Sequence, residues 1–258
     1  MKRIKVSLVA ILILLTALWL AADTLLPKPF TYFSFRLAFL QYSGVIGIGL
    51  MSFAMLLALR PKCLEPYLDG LDKMYRLHKW LGVGALVIAV IHWWWAQGTK
   101  WMVGWGWLVK PARKGGGDAN LGLVENWLRG QRAFAESVGE WAFYVAVVLI
   151  VLALIKRFPY RWFAKTHKWI AVAYLALVYH SVVLTKAAYW AQPVGWVLAV
   201  LLLSGSVAAL LSLTGRIGIS RQVQGRIVSL TAYPALNVLE TVVEVQDGWR
   251  GHAAGQFA

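Results

Sequence analysis

Two stretches of this chain close an apolar run with a histidine at each end. Residues 78–92 read HKWLGVGALVIAVIH, and residues 167–180 read HKWIAVAYLALVYH. Both open on His-Lys-Trp, and beyond that lysine neither holds a charged residue. Four of the five histidines lie at these four ends. Such runs have few structures open to them. As helices they rise about 20 Å between their histidines, most of the way across a hydrocarbon core of about 30 Å. Ionisable side chains inside such a core are rare and usually functional.

The rest of the sequence supplies the same setting. The chain is 60% hydrophobic and 14% charged, where soluble domains are about a quarter charged. Six apolar runs, at 6–22, 36–59, 78–97, 138–155, 167–189 and 193–213, predict an all-α polytopic membrane protein built as a six-helix transmembrane bundle. The first run follows Met1-Lys2-Arg3-Ile4-Lys5 and fits a signal peptide; its length favours a first transmembrane helix. Gly44, Gly47 and Gly49 in the second run predict a close helix contact. Residues 98–136 read as a long polar loop, with WMVGWGWLVK lying on the membrane surface and a flexible turn at 114–118.

After Gly215 the texture changes. Residues 222–232 and 238–245 are rich in β-branched side chains and predict strands, with Pro234 and Asn237 in the turn between them. Asp247-Gly248 marks a second turn, and residues 255–258 read as the start of a third strand. The predicted domains are 1–215, the membrane bundle, and 216–258, the first strands of an incomplete β-barrel. His252 reads as a solvated loop residue. Gly215-Arg216-Ile217-Gly218 follows a membrane helix rather than a strand, so it is no dinucleotide fingerprint.

The net charge of +15 belongs with a lipid membrane, not nucleic acid. No nucleic-acid motif accompanies it, and basic residues of polytopic proteins gather in cytoplasmic loops. Nine Lys and Arg fall on one side, most of them in 98–136. The short segments on the other side carry Arg60, Lys62, Lys73 and Arg76, then Lys156, Arg157, Arg161 and Lys165. Short loops decide orientation, so both termini are expected in the cytoplasm. Cys63 is the one cysteine, which excludes a disulfide framework. The 15 Trp suit interfacial belts.

In this topology the third and fifth spans run in parallel. His78 and His167 then share the cytoplasmic depth, and His92 and His180 share the outer one. At about 100° per residue, His78 and His92 share a face within about 40°. His167 and His180 diverge by about 140° unless the helix is locally distorted. Zinc is a poor fit: two histidines per layer lack a third ligand, and the reading puts no Asp, Glu or Cys at either depth. A haem needs one or two axial ligands and an apolar pocket. Two bis-histidine haems, one above the other, fit all four positions. Trp80, Trp93, Trp169, Tyr174 and Tyr179 lie near enough to line the pockets, though most suit packing or belt roles.

LDKMYRLHKWLG followed by IHWWW, the second histidine-bracketed helix, and the tail GWRGHAAGQFA resemble the ferric reductase-like transmembrane family, which includes bacterial relatives of NADPH oxidases and ferric reductases. The resemblance covers nearly the whole chain, and the paired histidines are its specific part. It implies two b-type haems, the inner on His78 and His167 and the outer on His92 and His180. It implies a flavin-binding barrel and a nicotinamide module after the sixth helix, fed by NAD(P)H through FAD, and an inner (plasma) membrane location. The acceptor outside would be oxygen, ferric iron or a protein. The His-Pro-Phe-Ser/Thr type motif and Gly-rich nicotinamide segment of the family are missing from this sequence. FAD and NAD(P)H are therefore expected only from further domains or from a partner flavoprotein. The chain then reads either as the membrane half of an oxidoreductase or as a non-catalytic haem-binding subunit serving a separate reductase. A histidine-lined transporter is a third reading.

Overall fold

In hydrocarbon a chain must satisfy its own backbone polar groups, and a helix does so within one segment. The computed structural model describes residues 2–109, 111, 122–219, 222–245, 249 and 251. The expected turns at 114–118 and at Asp247-Gly248, the third strand and His252 lie outside them. The chain divides into two compact units, 1–216 and 217–258.

The first unit is helical: α1 (Lys2–Ala22), α2 (Tyr32–Ala58), the single turn α3 (Glu65–Leu68), α4 (Leu71–Gly104), α5 (Leu123–Leu154), α6 (Tyr160–His167), α7 (Ile170–Leu184) and α8 (Pro193–Leu213). Among the described residues six stretches are long and apolar enough to cross a membrane: α1, α2, α4, most of α5, α6 with α7, and α8. Their starts are written locally. Thr31 caps α2 in a reciprocal box with Ser34, which satisfies two backbone donors at once. Pro193 opens α8 at a position where a missing N–H costs nothing.

The spans alternate in direction, so α1, α4 and α6–α7 begin at the same end of the bundle, here the near end. Arg3 of α1 ties that end together. It pairs with Asp69 at 2.6 Å and donates to the carbonyls of Pro66 and Tyr67. At the far end Asp23 accepts from both Lys186 and Tyr189. Gln41 adds a two-way clamp, donating to the Leu184 carbonyl and accepting from the Lys186 N–H. Burial pulls the Asp23 carboxyl up, but Lys186, Tyr189 and the Thr24 N–H outweigh it and hold its pKa below the usual range. A depressed carboxylate stabilises the fold above its unfolded pKa, and the contribution is lost as pH falls through the folded value. Asp23→Asn is therefore expected to lower the melting temperature in detergent at neutral pH. The difference from wild type should shrink below the carboxylate range of about 4. Equal melting at neutral pH would contradict the clamp.

α2 is the most enclosed of the six spans. It packs most extensively on α4, while α5 packs on α7, and α8 closes against α2 and α7. Ser52 and the fully buried Tyr174 join α2 to α7 by a 2.8 Å hydrogen bond at mid-depth. The glycines of α2 act as expected: Gly49 lies so close to Leu15 of α1 that a Cβ would collide with it, and Gly47 faces Ile88 of α4. The histidine-bearing helix α4 scarcely touches α6 and α7, which carry the other two paired histidines. They stand across a gap, each backed by its own partner.

The expected loop at 98–136 is largely helix. α4 runs on to Gly104, and α5 is already helical at Leu123. The cause at the α4 end is tertiary: Thr99 is buried, bonds back to the Trp95 carbonyl, and pairs with the Tyr32 hydroxyl of α2 at 2.7 Å. In α5, polar residues hold the helix: Arg132 pairs with Glu136 one turn on, and Gln131 accepts from Tyr179 of α7. The expected loop at 60–77 is likewise helical from Leu71. The fifth span also departs from expectation. It is broken at Lys168-Trp169 and its α7 part ends at Leu184.

In the second unit β1 (Gly225–Tyr233) and β2 (Val238–Val245) form an antiparallel hairpin. Asn237, at φ 52°, closes the turn after Pro234. A register shift between Ile227 and Ser229 is the mark of a β-bulge. The face carrying Ile227, Leu230, Leu239, Val243 and Val245 is apolar and exposed. Among the described residues the second unit shows this two-stranded sheet and not the barrel expected from the sequence.

Candidate functional site

His78 sits in the second turn of α4, and His167 is the last residue of α6. Their ring centroids lie 6.0 Å apart at the near end, with planes inclined by 67°. Two metal–nitrogen bonds of about 2 Å each, with the half-width of two rings, come to a similar span. His78 Nδ1 donates to the Ala54 carbonyl of α2 at 2.8 Å. A carbonyl only accepts, so the proton is on Nδ1 and the lone pair on Nε2. His167 stacks on Phe163 at 4.9 Å, and its buried Nδ1 has no hydrogen-bond partner.

The break in the fifth span falls immediately after His167. Trp169 N–H reaches back three residues to Thr166, and Ala171 and Val172 likewise bond three residues back. Such tight turns advance about 120° per residue instead of about 100°. The change carries His180 round towards the face of His167, in the sense needed to reduce the 140° divergence of a regular helix.

At the far end His92 and His180 line one cavity of about 260 Å³. His180 Nδ1 donates to the Ala135 carbonyl of α5 at 2.8 Å, and His92 Nδ1 lies 2.9 Å from Ser43 Oγ of α2. Among the described residues, no hydrogen bond reaches Nε2 of His78, His92 or His180. This is the disposition of metal-ligating histidines, in which one nitrogen is anchored and the other free. Gly139 of α5 lies so close to the His180 ring, at its Nδ1, that a Cβ there would overlap it. Gly44 is looser: its Cβ would meet His92 Cε1 at 3.6 Å, an ordinary contact.

The cavity wall is apolar towards mid-membrane, with Ala85, Ala89, Val147 and Ile150. Its far-end rim is charged, with Arg36, Lys100, Arg132, Glu136 and Glu140. Arg36 donates to the Ala96 carbonyl, yet its Nε is buried without a partner. The expectation that no carboxylate shares a histidine depth is therefore corrected. Glu136 reaches the cavity because α5 is helical well before residue 138, where the fourth span was expected to begin, and Glu140 lies inside that expected span and lines the same cavity. Among the described residues no group of three or more His, Cys, Asp or Glu is placed to hold a metal ion, and Cys63 is exposed and free. The donors available are histidine pairs.

Of the aromatic candidates, Trp93 lines this cavity, stacks on Phe143 at 5.5 Å, and donates to the Tyr144 hydroxyl. Trp80 and Trp169 are exposed, Tyr174 is committed to Ser52, and Tyr179 to Gln131. Sequence reasoning missed Gly139, Arg36 and the backbone acceptors Ala54 and Ala135. It noted Ser43 only as a polar mark. A glycine within an apolar helix and an arginine one turn inside a span were readable signals; backbone carbonyl partners have none.

No curated protein matches the chain. The family described as "Ferric reductase like transmembrane component" matches residues 43–178, a segment holding all of α4, α5 and α6, more than half of α2 and of α7, and His78, His92 and His167; His180 lies two residues beyond it. The match covers more than half of the chain and three of its four paired histidines, and the chain belongs to the ferric reductase-like transmembrane proteins.

Proposed function

We propose that this protein carries electrons across a membrane through two stacked haems. His78 and His167 would hold the near-end haem, and His92 and His180 the far-end one. The observation that carries the proposal is the histidine arrangement. Two pairs stand at matched depths on helices that barely touch, and three of the four rings have Nδ1 anchored and Nε2 free. A haem bound there supplies a reversible one-electron couple in a low-dielectric core.

The chain's own residues do the rest. Ala54 and Ala135 fix ring tautomers through their carbonyls. Gly139 leaves the room that the His180 ring fills. Arg36, with an unpaired buried Nε, would bind the carboxylates of the far-end haem. The apolar cavity wall excludes water from the path. The near end, with its short basic loops, would face the cytoplasm and receive electrons from a flavin and NAD(P)H donor. The far end would deliver them to an acceptor outside, oxygen, ferric iron or a protein.

Purified protein in vesicles, with dithionite trapped inside, should reduce ferricyanide outside only when haem is bound. Equal rates with and without haem would overturn the proposal.

A second reading has its own support. The apolar face of the hairpin is uncovered among the described residues, and an isolated two-stranded hairpin is marginally stable at best. A haem-binding subunit that docks a separate flavoprotein would cover that face. A flavoprotein that copurifies with the chain and reduces it from NAD(P)H would favour this reading. Reduction by NAD(P)H with the chain alone would exclude it.

A further inference from the structure

We infer that Ser43 is a positioning residue that holds His92 in its ligating tautomer and tunes the far-end haem alone. The inference rests on the haem reading above. Ser43 is buried on α2. Its Oγ is 2.7 Å from the Phe39 carbonyl, one turn back, and 2.9 Å from His92 Nδ1. A hydroxyl has one proton. Donation to the i−4 carbonyl is the ordinary habit of a helical serine, and it leaves only a lone pair for His92. The imidazole must then carry its proton on Nδ1 and present Nε2 to the cavity. Were Ser43 to donate to Nδ1 instead, the proton would sit on Nε2 and His92 could not ligate. The Phe39 carbonyl therefore sets the ligand's polarity through Ser43.

The other three histidines are served differently. His78 and His180 lean on backbone carbonyls, which no substitution removes, and His167 Nδ1 has no partner. His92 is thus the one ligand of the four whose anchoring acceptor is a side chain. An acceptor on Nδ1 makes an imidazole a stronger donor through Nε2, and a stronger axial donor favours the ferric state and lowers the reduction potential. Removing the hydroxyl should weaken His92 as a donor and raise the far-end potential, with the near-end one untouched.

The test is a redox titration of the full chain with both haems bound, followed by visible and low-temperature EPR spectra. His92→Leu identifies the far-end component by its disappearance. Ser43→Ala should shift that component upward by about tenfold in its one-electron equilibrium, about 59 mV, and change its low-spin EPR signal. Ser43→Thr, which keeps the Oγ, should restore both. Loss of the far-end haem alone in Ser43→Ala, with both haems kept in Ser43→Thr, also supports the role. An unchanged far-end component, equal shifts in both components, or haem loss in both variants would overturn it. A wild-type chain that takes up no haem would instead sink the functional reading itself, so the two failures are distinct.

Discussion

A His167→Ala variant is expected to lose the near-end haem, keep the far-end one, and pass no electrons across the bundle. His78 and His167 face each other at 6.0 Å between centroids, and no third donor stands nearby among the described residues. Removing His167 leaves one axial ligand and opens a void beside Phe163. Losing a hydrogen-bond partner of a ligand typically costs 10–100-fold in affinity, so losing the ligand itself should exceed about 100-fold. His78→Ala should behave alike. Haem content per chain should fall to half, and vesicle transfer to background. A variant that retains both haems would remove His167 from the site.

Gly139→Ala should be nearly as damaging, although it alters no ligand. A methyl group there would overlap the His180 ring. The ring cannot swing aside freely, because its Nδ1 is held by the carbonyl of Ala135, one turn before Gly139 on α5. Either that bond breaks or α5 moves away from α7. Overpacking of this kind costs about 1–3 kcal/mol, and here it falls directly on the ligand. The far-end haem should be lost or turned high-spin while the near-end one is unaffected. Gly44→Ala is the matched control. It places a methyl against the His92 ring at 3.6 Å and should leave both haems in place. Equal behaviour of the two alanine variants would show that close approach at Gly139 is not what seats His180.

Much of this architecture is legible in the sequence, for a physical reason. Hydrocarbon permits only self-satisfied backbone, so an apolar run announces a helix without help from tertiary contacts. The pairing of His78 with His167 and of His92 with His180 follows from counting spans and depth. The angular mismatch of the fifth span is also visible, as an excess of about 140° over a shared face. Its resolution is not visible. Residues 165–171, KTHKWIA, contain no proline or glycine, so nothing in them marks the break after His167. The other misreadings share one origin. The polar residues from 123 to 136 read as loop, yet Gln131 and Arg132 hold α5 as helix through partners chosen by the fold. Glu136 comes to the cavity rim with it. Gly139 looked ordinary because its neighbour in space, His180, is 41 positions away.

In the proposed function four histidines hold two haems in two layers. Its most direct test is the haem stoichiometry of the purified full chain by pyridine haemochrome against protein mass, with EPR of the oxidised form. Two b haems per chain are expected, both low-spin with bis-histidine ligation, and one each after His167→Ala or His180→Ala. A chain that binds no haem, or binds one that survives both substitutions, would contradict it.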